Sequence, residues 1–540
     1  MGISEKRLML YFAILLIALP VVIWLVFTAN KDSDAYAVET ASASLAPATE
    51  QGMQSVPDGS LEELSGFVTN LPIVVMDVGG QTMHVHSVWD TEKGYFVGVD
   101  YDPNIEGSLS LIDAKDGGDN HLSDPPQLTT GMRIHIRGAS SQTFPKKQYH
   151  ITFLNPDGTT NEQDVLGMGL SGEWVLNISY IDKSLLRNYL AYTIAAQVMP
   201  HAPRARFCEV FFKEGSIYRY KGLYLLIQPI NRGNSMIPLS KYDKNFTESS
   251  YILRRDRFSE SGLILNTYGT KNKLTAEYLS VMYPPQDRIT AKTTQYILDD
   301  INKFEEALFA EDRDEFLKYK DYIDIDSFAD YFILNEFFGN YDSIEHSAYM
   351  YKEVNGKLTM GPVWDFDRAI GNDYPNILKI DTTAMHDGVW FRQLLRDGNF
   401  VKLIIDRYAE LRKGALSDAY IDATIDAAIR HISPAQQRDW NRWDYNSVYD
   451  AQANGEAVGI SLLPLTANNW DYDETVANLK LVLREHGAWM DKRLDSLYQF
   501  SNIEPAASGQ DTGGLKALWS VLALLVVIGF FISVYLIQKE

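Results

Sequence analysis

The stretch NYDSIEHSAYMYKEVNGKLTMGPVWDFDRAIGN, from Asn340 to Asn372, sets three carboxylates, Asp342, Asp365 and Asp367, around two short apolar runs. Asn355-Gly356 between those runs is a strong two-residue hairpin signal. AYMYKEV and KLTMGPVWDF are therefore predicted to pair and to carry Asp365 and Asp367 back towards Asp342. Carboxylates gathered in this way repel one another, and the remedies are a shared proton or a hard cation such as Mg²⁺. Carboxylate caps on turns, or pairing of Asp367 with Arg368 or another arginine, form the structural alternative.

A second stretch supplies the opposite charge. In HIRGASSQTFPKKQYHITF, His135 to Phe153, two predicted strands flank a loop of Gly138, Ala139, Ser140 and Ser141. These residues are small enough for backbone amides to approach an anion. Lys146 and Lys147 wait at the return strand. Alternation assigns Lys147 to the face of Tyr149, Ile151 and Phe153, and Lys146 to that of Gln148 and His150. A lysine at the start of an apolar face is costly unless it meets an anion, which makes Lys147 the preferred phosphate ligand. Solvated strand-edge charges are the other reading of this pair. A lysine and a glycine-containing loop on one side, with a base and metal carboxylates on the other, are the parts of a phosphoryl-transfer site.

The elements that must position these groups divide along the chain. LPIVVMDV, MRIHIRG, QYHITF, EWVLNIS, ARFCEVFF and KGLYLLIQ are short β-branched or aromatic runs bounded by Gly, Pro and Asp, and read as strands. One helix interrupts them, DKSLLRNYLAYTIAAQVM, with Asp182 as its expected cap. From about Thr290 helical spacing dominates, in TTQYILDDINKFEEALF, DSFADYFILNEFFG, FVKLIIDRYAELRKGAL and DATIDAAIRHIS. The DSFADYFILNEFF helix should stop near Gly339, leaving Asp342 on a loop just past its end. The expectation is an α+β fold with a β-rich first lobe and a helical second lobe.

Bulk properties bound the function. With 540 residues and 46% apolar content the chain can bury a large core. Its formal charge of −22 argues against non-specific binding to nucleic acid. Cys208 is the single cysteine, so no intrachain disulfide forms. Leu8 to Phe27 and Ala517 to Ile537 lack charged residues and are each long enough to cross a bilayer as a helix. Lys6 and Arg7 before the first run favour a cytoplasmic N-terminus, hence a two-pass cell-membrane protein with its main domain outside. The expected organisation is a tail and span at 1–30, a tether at 31–65, a globular domain at 66–502, a linker at 503–516, a span at 517–537 and a tail at 538–540. GMGLSG matches a dinucleotide fingerprint but precedes a predicted strand rather than a helix, and no Walker A or H-E-x-x-H sequence occurs.

Taken in order, IRGASSQTFPKKQYHITF, DKSLLRNYLAY, KGLYLLIQPI, YIDIDSFADYFILNEFFGNYD and GPVWDFDRAIGN resemble the spore coat protein H (CotH) family of atypical, secretory-type protein kinases, over about Leu71 to Arg412. The resemblance implies a two-lobed kinase-like fold that binds ATP with Mg²⁺ or Mn²⁺ and phosphorylates serines of secreted or surface proteins. Carried over by position, Asp342 is the catalytic-loop aspartate and Asp365 the metal aspartate, with Asp367 beside it. Lys146 or Lys147 is the phosphate lysine, and Arg137 with the Ser140-Ser141 loop covers the phosphates. Arg187 falls where the family has arginine, to reach the phosphates or to brace Asp365. The sequence departs from the family pattern at three positions: Ala139 replaces a common asparagine, Ser347 lies near a metal-binding asparagine position, and Gln228 replaces a glutamate in the nucleotide region. These departures leave a catalytically degenerate surface binding module as the alternative, with a glycan hydrolase using two of the carboxylates as a third reading.

Overall fold

Apolar residues at every second position fold the first half of the chain into a barrel. The computed structural model describes residues 45, 52–114, 118–260, 262–372, 381, 383–443 and 471–505. Seven strands close on themselves: β1 (Ile73–Asp77), β2 (Ile105–Ile112), β3 (Leu128–Ile136), β4 (Tyr149–Leu154), β5 (Glu173–Asn177), β6 (Ala205–Glu214) and β7 (Ile217–Ile227). Their order around the barrel is β5-β7-β6-β1-β2-β3-β4, and β4 pairs with β5 to complete the ring. The β1/β6 pair is parallel and the other pairs are antiparallel. Met132, Ile134 and Ile136 of β3, Tyr149, Ile151 and Phe153 of β4, and Trp174 and Leu176 of β5 fill the interior. Their alternate neighbours, His135, Gln148, His150 and Asn177, therefore lie on the outer face.

The second half mixes helices with a five-stranded antiparallel sheet. Its strands are β8 (Tyr251–Asp256), β9 (Ile264–Leu265), β10 (Tyr278–Tyr283), β11 (Ala348–Lys352) and β12 (Thr359–Met360), in the order β9-β10-β8-β11-β12. Helix α1 (Arg187–Ala195) lies between β5 and β6 in sequence and is buried along its whole length. The longer helices of this half are α2 (Ala291–Leu308), α3 (Ile325–Phe337), α4 (Gly398–Leu411), α5 (Asp418–Trp443) and α6 (Tyr472–Arg493). α3 ends as its sequence requires, with Gly339 at φ 58 just beyond it, and β11 and β12 pair as a hairpin, but through a six-residue link, 353–358, in which Asn355 is at φ 62 rather than through a two-residue turn.

Several expectations are corrected. The fold is mixed α+β, but the two-lobed kinase-like arrangement flanked by two transmembrane helices is replaced by a closed seven-stranded barrel followed by a sheet with helices. Among the described residues no helix is long and apolar enough to cross a membrane, and the two expected spans lie outside those residues. Residues 52–65, assigned to the tether, are part of the globular unit: Val56 and Leu64 pack with Phe67 against Ile73, Val75, Phe211 and Tyr220. α1 starts at Arg187 rather than Asp182, because Asp182 accepts the Ser184 and Arg187 backbone N–H groups and so shapes the turn before the helix.

α5 fastens the barrel to the second half through charges that are wholly buried. Asp439 accepts Lys146 Nζ at 2.7 Å and the Leu223 backbone N–H at 2.8 Å, and both Lys146 and Asp439 are 0% exposed. One turn of sequence supplies three more ties: Arg438 grips Glu209 through two hydrogen bonds, Arg442 Nε reaches the Tyr220 carbonyl, and Trp443 Nε1 the Lys221 carbonyl. The approach depends on Gly222, at φ 101 beside the β6 bulge, where a Cβ would stand 2.1 Å from Asp439 Oδ1. Breaking a buried pair from one side leaves an uncompensated charge, which costs about 3–5 kcal/mol. Asp439→Leu is expected to lose that much in chemical denaturation, and Lys146→Met/Asp439→Leu to lose less than Asp439→Leu alone. A double variant no more stable than the single one would show that the pair contributes through shape rather than charge.

Candidate active site

The outer face of β3, β4 and β5 turns towards the hairpin that carries the carboxylates. Arg137 follows β3 on this face and lies 5.7 Å from the Trp364 ring. His135 and His150 stack beside it at 5.2 Å. Burial, with the positive charge of Arg137 contributing, pushes both imidazoles down to about 4, so they are neutral at pH 7.

α1 positions the backbone of the acidic turn. Asn188 and Tyr192 are four residues apart and therefore share one helix face. Asn188 Oδ1 accepts the Phe366 N–H at 2.7 Å and the Tyr192 hydroxyl accepts the Asp365 N–H at 3.2 Å. Between these holds Asp365 adopts φ 64, and Ser347 opposite adopts φ 52. Left-handed backbone at non-glycine residues costs of order 1–3 kcal/mol each and persists where surrounding contacts over-determine it. From the other side Asn340 Nδ2 donates to Asn335 Oδ1 at 3.1 Å and to the Trp364 carbonyl at 3.5 Å, tying the end of α3 to the same turn.

The predicted carboxylates are brought together. Burial, then the nearby charge of Asp342, pushes Asp365 up to about 6 despite the opposing Arg137. Burial and Asp365 hold Asp367 well above the usual carboxylate range, with Arg368 opposing. Ser347 Oγ lies 3.5 Å from Asp365 Oδ2. Asp342, on the short turn Tyr341–Ile344 after α3, has Arg257 Nη2 at 3.8 Å. Arg257 escaped sequence reasoning because it lies far away in sequence, at the end of β8.

The other predicted residues divide. The Ser140–Thr143 turn lies beside Gln148, whose Nε2 donates to Ser141 Oγ at 2.6 Å. Lys147 is half-buried and donates to the Gln142 carbonyl at 2.7 Å, within this turn. Strand alternation misassigned the two lysines: β4 begins only at Tyr149, and it is Lys146 that turns inward, to Asp439 and over the Tyr224 ring at 5.0 Å. Lys146 is fully buried in that pair and also donates to the Leu223 carbonyl at 2.7 Å. Arg187 is buried against Asp182 and donates to the Ala369 and Ile370 carbonyls at 2.9 and 3.1 Å, so it braces the turn after Asp367 and does not reach outward. Gln228 is directed elsewhere, towards the Gly169 carbonyl and Ser235 Oγ, at 3.3 and 3.2 Å.

Residues 134–490 match the family model described as CotH kinase protein, a span that contains every element of this site. The chain belongs to the CotH kinase family. No curated protein matches it. The family match starts later than the resemblance read from sequence and continues through α5 and α6, so the helices without a chemical motif are part of the family domain.

The family implies nucleotide and metal use, and the donor set of the acidic turn is consistent with a hard cation. Asp365, Asp367 and Ser347 offer oxygen alone. Among the described residues no group of three His, Cys, Asp or Glu side chains is arranged to hold an ion. Asp365 and Asp367 are the residues that would hold Mg²⁺, which is bound through one or two carboxylates plus substrate phosphates and water. A folded carboxyl raised above its unfolded value contributes stability at low pH that is lost as pH rises through the folded value. The ion-free protein should therefore lose stability from Asp365 as pH climbs from 3.8 through about 6, with Asp367, also raised, adding loss in the same direction. Asp365→Asn is expected to raise the Tm of the EDTA-treated protein at neutral pH by a few degrees and to abolish the Tm increase given by Mg²⁺. Thermal melts across the range checks both; a lower Tm for Asp365→Asn in EDTA would contradict the repulsion.

Proposed function

We propose that this chain transfers the γ-phosphoryl group of ATP to serine hydroxyls of a secreted or surface protein, outside the cytoplasm, with Mg²⁺ or Mn²⁺ at Asp365 and Asp367. The observation that carries the reading is the raised Asp365–Asp367 pair, set beside Asp342 and facing Arg137. Two buried carboxylates whose mutual repulsion a cation would relieve, opposite an arginine and a serine-bearing loop, suit a metal-bound polyphosphate better than they suit a sugar. The extracytoplasmic location and the protein substrate rest on the family resemblance.

In this reading Asp342 accepts the proton of the substrate serine as its Oγ attacks the γ-phosphorus. The bond from that phosphorus to the β,γ-bridging oxygen breaks, and ADP leaves with the electron pair. A bound divalent cation neutralises charge on the phosphate oxygens. Arg137 and Lys147 supply positive charge from the barrel side, and Arg187 keeps the turn after Asp367 in place.

A binding module without turnover is the second reading. It is favoured by Gln228, whose hydrogen bonds lead away from the acidic turn, and by the exposed Ala139 at the loop tip. Two variants separate the readings and the roles. Asp365→Asn should weaken Mg²⁺-ATP binding and turnover together, whereas Asp342→Asn should leave binding largely intact and lower turnover by roughly 10² to 10⁴. Lys147→Ala should weaken binding about tenfold or more, the worth of a charge-assisted hydrogen bond. Calorimetry with Mg²⁺-ATP and phosphoryl transfer to protein serine measure these quantities. Wild-type protein without turnover supports the binding module; absence of Mg²⁺-ATP binding under any metal condition rules out the kinase.

A further inference from the structure

A line of buried amides runs from the acidic turn to the serine loop, and its direction is set at one end. The Phe366 backbone N–H donates to Asn188 Oδ1 at 2.7 Å; Asn188 Nδ2 donates to Asn177 Oδ1 at 3.1 Å. Asn177 Nδ2 donates to Gln148 Oε1 at 3.0 Å, and Gln148 Nε2 to Ser141 Oγ at 2.6 Å. The three amide side chains are 2%, 6% and 8% exposed for Asn188, Asn177 and Gln148, so water does not substitute for a missing link.

The oxygen and nitrogen of a side-chain amide are distinguished by their hydrogen-bond partners. Here the partner at the origin is unambiguous, because a backbone N–H can only donate. Asn188 must present its carbonyl oxygen to Phe366, which leaves its NH₂ for Asn177. Asn177 then presents its oxygen to Asn188 and its NH₂ to Gln148, and Gln148 meets Ser141 with NH₂ in turn. Ser141 Oγ is thereby an acceptor towards the protein. A hydroxyl carries a single proton, so the Ser141 O–H is left to donate away from the line. Gly138 makes room for this arrangement: it has φ 103, and a Cβ there would stand 2.0 Å from Ser141 Oγ.

We propose that this relay presets the Ser141 hydroxyl as a hydrogen-bond donor to a phosphate oxygen of the nucleotide, with Gln148, Asn177 and Asn188 as positioning residues. The inference rests on the nucleotide reading above and adds to it a structural reason for serine at 141. The same line makes the backbone of the Asp365 turn the origin of order in the serine loop. Phosphate oxygens accept and do not donate, so a loop hydroxyl whose proton pointed inward would oppose the ligand with a lone pair.

Reversal of the line provides the test. In Gln148→Glu the carboxylate still accepts from Asn177 but has no N–H for Ser141, whose proton must turn inward. In Asn177→Asp the carboxylate accepts from Asn188 and cannot donate, so Gln148 turns its NH₂ to it and its oxygen to Ser141. Calorimetry of the full chain with Mg²⁺-ATP is expected to give about tenfold or weaker binding for Ser141→Ala, Gln148→Glu and Asn177→Asp alike. Each of the two acidic variants combined with Ser141→Ala should be no weaker than Ser141→Ala alone, because the group they misdirect is already gone. Multiplying losses would assign the effect to the added negative charge and overturn the proposal, as would wild-type affinity in Ser141→Ala. Melting of each variant identifies any that fails to fold, and either acidic variant alone suffices for the cycle; if both unfold, Ser141→Ala decides. Wild-type affinity in both folded acidic variants would overturn the relay while leaving the nucleotide reading intact, whereas wild-type protein that does not bind Mg²⁺-ATP removes that reading and the inference with it.

Discussion

Asp439 carries a full charge at a point with no access to water, and the barrel, the last helices and the lysine pair are arranged around it. A carboxylate in such a place is tolerable only with a close cation and further donors. Lys146 and the Leu223 N–H supply them, and Gly222 lets the carboxylate come near enough. The partners come from opposite ends of the domain, 293 positions apart. Closure of the barrel and docking of α5 therefore share this contact. The same interaction assigns roles to two adjacent lysines: one is consumed by structure, and the other is left beside the serine loop.

The acidic turn shows the opposite economy of charge. At Asp439 opposite charges meet at full burial, whereas at Asp365 and Asp367 like charges are pressed together with Arg137 and Arg368 as partial relief. Such a turn would relax if it were free to move. Asn188 and Tyr192 hold its backbone from α1, Arg187 and Asn340 hold its flanks, and Asp365 stays in a left-handed conformation between them. Stored repulsion and backbone strain at one turn, sustained by neutral donors around it, are the features of a site prepared for a positive or metal-bound ligand.

Membership of the CotH kinase family and this local chemistry point the same way by independent routes. The family match depends on the order of motifs along 134–490. The local argument depends on which side chains the tertiary structure brings into contact. Where they differ is instructive. Gln228, placed by motif near the nucleotide, is tied by its hydrogen bonds to the Gly169 loop, while Gln148 and Asn188, given no role within their motifs, and Asn177, outside them, stand in the site.

Local signals determined a good deal. Alternating β-branched runs marked six of the barrel strands, since a strand buried on one face must alternate. Ile105–Ile112 was missed because its Gly and Ser residues mask the alternation, and Tyr251–Asp256 and Tyr278–Tyr283, which precede the helical region, were not among the runs read as strands. Asn355-Gly356 marked the hairpin, and with it the return of Asp365 and Asp367 towards Asp342, although the link runs over 353–358 and of the two only Asn355 takes left-handed backbone. What the tertiary structure alone decided is which polar groups face one another across long separations. Closure of the strands into a barrel, the inward turn of Lys146 and the bracing role of Arg187 each depend on a partner hundreds of positions away or on another strand. So does the direction of the amide line, because an isolated Asn or Gln can turn either way and only a neighbour with a fixed donor chooses between them.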